Sequence, residues 1–317
     1  MKRPAILIVT YNSQDTIGPC LEAVLRQDAD VLVVDNASGD ETVSLIRRHP
    51  DVALVTSETN LGFAGAVNRG MSVLHSELVL LLNPDAVLLS GLDALVEAFR
   101  DPRVAAAAGK LVDEDGEAQT GFSVRRFPTP ASLAFEALGW NRLWRSNPIN
   151  RRYRCLDLDL EQPAEVDQPA GAFLMLRRKI WRRLGGMDEE FYPLWFEEVD
   201  FLYRLRKQGY LIRYEPSAVA RHGGGDSVRR LSAGCRPLYW YGSLLRYASK
   251  HFGRLGRSIV CVAVVFGSLL RMLTGIVVER SLKPILVYGK VIQLALRSVL
   301  SGRVRTTGGF AAARMTG

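Results

Sequence analysis

The chain has 317 residues, 48% of them apolar, and a formal net charge of +8. That length holds one large domain or two ordinary ones, and that apolar share supports a buried core. The cysteines, Cys20, Cys155, Cys235 and Cys261, lie far apart without a CxxC pair, which argues against a zinc site or a disulfide framework and fits a reducing compartment.

Residues 5–10 follow Met1-Lys2-Arg3-Pro4 directly, with no signal-peptide pattern, and their Ile/Val run predicts a buried strand. Asn12 or Ser13 is suited to cap a helix reaching about residue 26. Residues 31–34 predict a second strand ending at Asp35-Asn36, and Asp40 opens a second helix to about residue 49. Residues 52–56 give a third strand. The glycine-bearing loop Asn60-Leu61-Gly62-Phe63-Ala64-Gly65-Ala66 and a helix to about residue 74 follow it. Residues 78–82 give a fourth strand, stopped at Asn83-Pro84-Asp85 because proline has no N–H for a ladder. Strands alternating with helices at this spacing imply a parallel, right-handed βαβ sheet. Beyond residue 111 the regularity falls, and residues 123–159, rich in Arg, Trp and Pro, read as long loops with short helices. Strand character returns over 169–176, and Gly185-Gly186 marks a turn. Phe201, Leu202 and Leu205 recur at helical spacing within 196–208. Residues 211–214 predict a last strand, leading to His222 and to Gly223-Gly224-Gly225, which reads as a mobile loop able to close over a ligand.

Charge is divided along the chain. Residues 1–120 carry 9 basic and 18 acidic side chains, whereas residues 121–317 carry 32 and 15. Beyond residue 226, Glu279 is the only acid against 15 bases. A one-signed segment predicts an anionic partner, and no nucleic-acid motif is present, so a membrane surface is the reading. Residues 259–278 are apolar apart from Ser268, Arg271 and Thr274 and long enough to span a bilayer, but Arg271 lies near their centre, where a charge is costly. Lys283, Lys290 and Arg297 recur every seven residues in an otherwise apolar segment, the pattern of a helix lying in the membrane interface. Peripheral attachment at the cytoplasmic face is therefore expected, with a soluble helical hairpin as the alternative. Residues 306–317 read as a disordered tail. The expected division is 1–120 for a nucleotide-binding half, 121–254 for an acceptor-binding and catalytic half, and 255–317 for the basic apolar tail.

Thr10-Tyr11-Asn12, Asp35-Asn36, the glycine loop and Asp85 each fall at a strand's C-terminal end, where open α/β sheets bind ligands. A carboxylate fixed there suits a divalent cation, and an Asp can accept the imide N–H of a pyrimidine base. The glycine loop is neither a Walker A motif nor GxGxxG, so the P-loop and dehydrogenase readings lose support. Glu197, Glu198 and Asp200 crowd the start of a helix between aromatic residues, surroundings that raise a carboxylate's pKa and prepare it to take a proton. His222, before its glycines, is placed to ligate a metal. A non-catalytic nucleotide-binding membrane scaffold is the competing class, disfavoured by this acid cluster.

These residues together resemble the inverting glycosyltransferases of family 2, and within it a rhamnosyltransferase-like branch. The likeness rests on Ile8-Val9-Thr10-Tyr11-Asn12, Val34-Asp35-Asn36-Ala37-Ser38, Asn60-Leu61-Gly62-Phe63-Ala64, Asn83-Pro84-Asp85 and Phe196-Glu197-Glu198-Val199-Asp200. The resemblance implies an α/β fold of the GT-A type. That fold has a mainly parallel, Rossmann-like sheet flanked by helices, here with a C-terminal helical, membrane-associating extension. It implies that Thr10, Tyr11 and Asp35 line the base and ribose of a nucleotide-sugar donor, that Asn60, Gly62 and Asn68 border the donor pocket, and that Asn12, Asn36 and Asn83 belong to the same donor site, Asn83 within reach of the ribose. Asp85 and His222 would hold Mg²⁺ or Mn²⁺. Gly171, Ala172 and Glu197 would lie near the acceptor, a saccharide or polyprenyl-linked saccharide of cell-surface polysaccharide synthesis. Glu198 would be the catalytic base, with Asp200 as competitor or positioning residue. The branch favours dTDP-rhamnose, with a UDP-sugar close behind. Asn83 departs from the common Asp of the metal motif, and Glu198 from the usual Asp.

Overall fold

The computed structural model describes residues 3–224 and 234–301. Gly225 of the glycine loop and the tail at 306–317 lie outside the described residues. In chain order the first elements are β1 (Ala5–Thr10), α1 (Ile17–Val24), β2 (Asp30–Asp35), α2 (Thr42–Ile46), β3 (Val52–Thr56), α3 (Gly62–Val73), β4 (Leu78–Leu82), β5 (Ala86–Ser90), α4 (Leu92–Ala98) and β6 (Val104–Val112). Then come β7 (Val124–Arg125), α5 (Pro130–Leu138), α6 (Trp140–Leu143), α7 (Pro148–Tyr153), β8 (Ala164–Glu165), β9 (Gln168–Pro169), β10 (Phe173–Arg177), α8 (Arg178–Arg183), α9 (Glu197–Lys207) and β11 (Leu211–His222). Three helices follow: α10 (Cys235–His251), α11 (Arg254–Glu279) and α12 (Lys283–Ser301).

Two compact units divide these elements. The first holds the sheet, in the order β3-β2-β1-β4-β10-β6-β11-β5 with β8 on β11. β3, β2, β1 and β4 run parallel, β10 enters antiparallel between β4 and β6, and β11 is again parallel to β6. Both faces are covered. Ala5 and Leu7 of β1 pack with Ala64, Val67 and Met71 of α3 and Phe201 and Leu205 of α9. Ile6 and Ile8 pack with Ile17 and Leu21 of α1 and Leu92 and Leu95 of α4. A strand buried on both faces needs apolar side chains at every position, which is why β1 and β4 read as unbroken apolar runs.

The structure departs from the sequence reading in several places. The first helix begins at Ile17, because Asn12 adopts φ 51° and its Oδ1 accepts from Gly39 N, while Ser13 N donates to Thr42 Oγ1. The second helix shrinks to Thr42–Ile46, with Asp40 accepting from Thr42 N and Oγ1. Gly62 belongs to the first turn of α3 rather than to a free loop. β5, α4 and β6 occupy a stretch given no element by the periodicity. The last strand does not stop at residue 214 but runs to His222, through register shifts between Glu215 and Val219.

The second unit comprises α5, α6 and α7, the segment 189–196, and the three C-terminal helices. α11 crosses α5 at glycines: a Cβ on Gly256 would come 2.8 Å from Pro130 Cγ, and one on Gly267 would collide with the Ala137 carbonyl oxygen. Arg271, one turn on, donates from Nη1 to Ala137 O (2.5 Å) and Gly267 O (2.9 Å), and lies over the Tyr241 ring. The carbonyls at the end of α5, which lack partners within their helix, are thus satisfied by a cation that also suits the helix dipole. Gly267→Val should lower stability by about 2 kcal/mol or more, since backbone stands in the way of the new side chain; a melting temperature equal to the parent's would contradict this packing.

Candidate active site

The parallel strands deliver Thr10, Asp35, the 57–61 loop and Asp85 to one edge of the sheet. β11 carries His222 to the same edge, because β11 runs antiparallel to β5 and His222 pairs with Ala86, the residue after Asp85. His222 Nε2 lies 3.4 Å from Asp85 Oδ1, with both side chains almost wholly buried. Gln119 faces the other nitrogen, its Oε1 3.5 Å from Nδ1, and its Nε2 donates to His222 O at 2.6 Å. Phe122 stacks on the imidazole, centroids 5.5 Å apart and planes 13° from parallel. Gln119 so placed flanks the Nδ1 edge of the ring, and Nε2 is directed at the Asp85 side.

Asp35 is a brace at this edge. Its Oδ1 accepts from Thr10 Oγ1 (2.9 Å) and Ser38 Oγ (2.5 Å), and its Oδ2 from Ser38 N (3.0 Å). Asn36 ties β2 to the glycine loop, donating to Asn60 Oδ1 (2.9 Å) and Gly62 O (3.2 Å) and accepting from Leu61 N (2.7 Å). Asn68 makes a two-way bridge with the Met187 backbone, at 2.9 and 3.0 Å. Tyr11 and Asn83 remain partly exposed. Cys20 is buried under the edge, its Sγ 3.6 Å from Asn83 O, and burial first, with the Asp85 charge second, pushes its thiol pKa up.

Asn83 N donates to Ala172 O at 3.0 Å, so the start of β10 sits beside the end of β4. This places Gly171 against α9: a Cβ on Gly171 would stand 3.3 Å from Glu198 Cγ. Glu198 is partly exposed, and burial pushes its carboxyl pKa up against the opposing pull of Arg125. Glu197 is buried, and burial together with the neighbouring Glu198 charge raises it well above its ordinary 4.5. Asp200 is fully buried and accepts from Arg204 Nε at 2.8 Å. Arg204 in turn donates to Leu184 O and Gly186 O, both at 2.7 Å. Of the three acids, Glu198 alone keeps an exposed surface. The chain enters α9 through Trp195 (φ 80°) and Phe196 (φ 71°), bulky residues in the left-handed region that only surrounding structure can hold there. Within the second unit, Ser243 Oγ donates to Leu194 O (3.3 Å), Phe196 packs on Tyr247 (5.5 Å), and Arg246 pairs with Glu190.

Gln119, Phe122 and Arg125 escaped sequence reasoning, since no motif marks them and their stretch reads as irregular. Among the described residues no cluster of three or more His, Cys, Asp or Glu is arranged to hold a metal. The pair Asp85–His222 fits a cation nonetheless: one oxygen and one nitrogen donor converge, too far apart for a good hydrogen bond, and Nε2 makes none within the described residues.

A family model described as Glycosyl transferase family 2 matches residues 5–185. A relative from Mycobacterium tuberculosis, N-acetylglucosaminyl-diphospho-decaprenol L-rhamnosyltransferase, is 31% identical over 78% of this chain and 85% of its own. Among solved structures, the mannosyltransferase PcManGT of Pyrobaculum calidifontis, in complex with GDP-Man and Mn²⁺, has a TM-score of 0.56 at 19% identity, covering 93% of this chain and 80% of that one. GalNAc-T7 with UDP, GalNAc and Mn²⁺ has a TM-score of 0.57 at 14% identity, over 94% of this chain and 56% of that one. These likenesses show the fold, a GT-A type sheet flanked by helices.

A raised carboxyl pKa in the folded state has a definite sign for stability. The folded protein keeps a proton on Glu197 that the unfolded chain releases above about 4.5, so the associated stability is present at low pH and lost as pH rises through the folded value. Glu197→Gln should therefore melt about 2 °C or more above the parent at pH 8, with the gap closing toward pH 4.5; a pH-independent difference would refute this.

Proposed function

The chain belongs to glycosyltransferase family 2, and from that premise we propose that it transfers L-rhamnose from dTDP-rhamnose, with inversion, to a saccharide carried on a polyprenyl diphosphate. The observation that carries the reading is Glu198: a partly exposed carboxylate with a raised pKa, pressed against Gly171 at the sheet edge that also bears Asp85 and His222. Glu198 takes the proton from the acceptor hydroxyl as that oxygen attacks the anomeric carbon. The bond from that carbon to the diphosphate breaks on the opposite face, and the nucleoside diphosphate leaves with the electron pair. A base tuned upward by burial works near neutral pH, where it is ionised yet able to hold a proton. Asp85 and His222 would hold Mg²⁺ or Mn²⁺, whose charge offsets that developing on the leaving diphosphate. Asp200, shut in by Arg204, acts as a positioning residue that fixes α9. Asp35 and Asn36 hold the loops against which the pyrimidine nucleotide rests. The relative named for L-rhamnosyl transfer to N-acetylglucosaminyl-diphospho-decaprenol supports both the sugar and the class of acceptor.

Such an acceptor places the enzyme at the cytoplasmic face of a membrane, attached peripherally. Among the described residues one helix, Arg254–Val278, is long and apolar enough to cross a bilayer, with a mean hydropathy of 2.2. Its Arg271 is committed to α5, however, and Val260, Cys261, Val264 and Ser268 are buried. A helix with one flank packed on protein and the other apolar and open suits the interface better than the bilayer core.

Glu198→Gln should bind donor as the parent does and lose about a hundredfold or more in kcat; single-turnover rates near the parent's would remove Glu198 from the base role. In a thermal-shift panel with Mn²⁺, dTDP-rhamnose should stabilise the protein more than UDP- or GDP-sugars, and Asp85→Ala should abolish the Mn²⁺-dependent part of that shift. An unchanged shift in the variant would count against the cation site.

A further inference from the structure

The second unit exposes more apolar surface than the C-terminal helices account for. On α11, Leu255, Ile259, Val262, Phe266, Leu270 and Leu273 are exposed and recur every three or four residues, so they form one open stripe. At α6, far away in sequence, Trp140, Leu143 and Trp144 are 49%, 85% and 52% exposed. Arg142 and Arg145 are exposed between and beside them, and residues 137–156 contain five arginines and no acid.

This corner is built, not loose. Asn141, Asn147 and Asn150 are all buried beneath it. Asn147 Nδ2 donates to Asn141 Oδ1 (3.0 Å) and to Trp144 O (2.6 Å). Asn150 N donates to Asn147 Oδ1 (2.8 Å), and Asn150 Nδ2 to Arg145 O (2.6 Å). Three buried amides thus fix the backbone that turns Leu143, Trp144 and Arg145 outward. Ordering costs conformational entropy, so a fixed apolar corner points to a partner that uses it. The corner also has a fixed place. Arg271 of α11 donates to Ala137 O and Glu136 O, and a Cβ on Gly139 would lie 3.5 Å from its Nη2, so α6 begins beside the turn of α11 that bears Leu270 and Leu273.

We propose that this corner is a second membrane contact, a foot that enters the headgroup region of an anionic bilayer together with the open stripe of α11. The proposal rests on the peripheral-membrane reading above and extends it to residues outside the tail. The chemistry is specific to that partner. Tryptophan carries an apolar body and a polar N–H and favours the depth of the headgroups, Leu143 adds apolar burial, and Arg142 and Arg145 meet lipid phosphates. A foot and a stripe on one rigid frame engage together, so the second contact strengthens the first without its own cost of encounter.

The test uses the full chain and vesicles of phosphatidylcholine with or without phosphatidylglycerol. The parent should partition onto the anionic vesicles, and the double variant Leu143→Asp/Trp144→Asp should partition about tenfold or more weakly, with melting temperature and dTDP-sugar binding unchanged. Brominated lipid should quench the parent's tryptophan emission, and Trp140→Phe/Trp144→Phe should remove most of that quenching. Phe266→Asp, on the stripe of α11, serves as the control. If it weakens partition while the double variant matches the parent, the foot is overturned and the tail reading stands. A parent that ignores anionic vesicles overturns both. A double variant that loses self-association in sedimentation velocity, rather than partition, identifies a contact between copies of the chain and also overturns the foot.

Discussion

His222 stands across the ladder from Ala86, and the position of the candidate site depends on that pairing. The two residues are remote in sequence, so nothing local holds them together. β5 turns back from β4 directly after Asp85, and β11 lies on β5 with its last residue level with the first of β5. A slip of one residue would turn the imidazole to the other face of the sheet. The register shift between Val219 and Ala220 lies just ahead of that last stretch and sets its phase. Gln119 and Phe122 then hold the ring from the side, by an amide and a stacked face.

The acids show how one helix start separates three similar side chains. Glu197, Glu198 and Asp200 occupy the first turn of α9, where the helix dipole favours all of them alike. What distinguishes them is packing. Asp200 accepts from Arg204 one turn on, whose remaining donors close the Gly185–Gly186 turn, so its charge is consumed by the fold. Glu197 faces the interior and is pushed toward its neutral form. Glu198 lies against a glycine, where a larger residue would crowd it, and keeps access to solvent. The left-handed Trp195 and Phe196 set where the helix begins, and hence which of the three faces outward.

Legibility in the sequence followed how local the cause was. β1, β2 and β4 were plain, because a strand covered on both faces must be apolar throughout, and β3, half-exposed at the sheet edge, still kept a short apolar run. β1 and β2 end at Thr10 and Asp35, and Asp85 follows the end of β4 by three residues, so these three could be placed on one edge from sequence alone. β6 was not readable: its centre is Ala105-Ala106-Ala107-Ala108, a run with the highest helix propensity. It is a strand because β10 and β11 flank it, and small side chains fit where both faces are tightly covered. β11 was half readable, since Glu215-Pro216-Ser217 looks like a strand's end. In the fold that tripeptide falls where the register against β6 shifts, the kind of interruption at which a proline is tolerated inside a sheet. Arg125, Gln119 and Phe122 had no local signal, because their meaning arises only from what the sheet edge brings to them.

Arg271 joins the two ways of reading the tail. In sequence it is a charge in the middle of an apolar segment, and that alone argues against a simple transmembrane span. In the structure the same guanidinium is spent on the last carbonyls of α5, next to a glycine that lets the two helices touch. The charge is therefore held by protein carbonyls and only partly exposed. Removing it from the outer surface leaves the other flank of α11 as an uninterrupted apolar stripe, while α12 supplies exposed Lys283, Lys290 and Arg297. A helix so divided has one side for the protein and one for a low-dielectric surface. The residue that appeared to spoil the segment is the one that orients it.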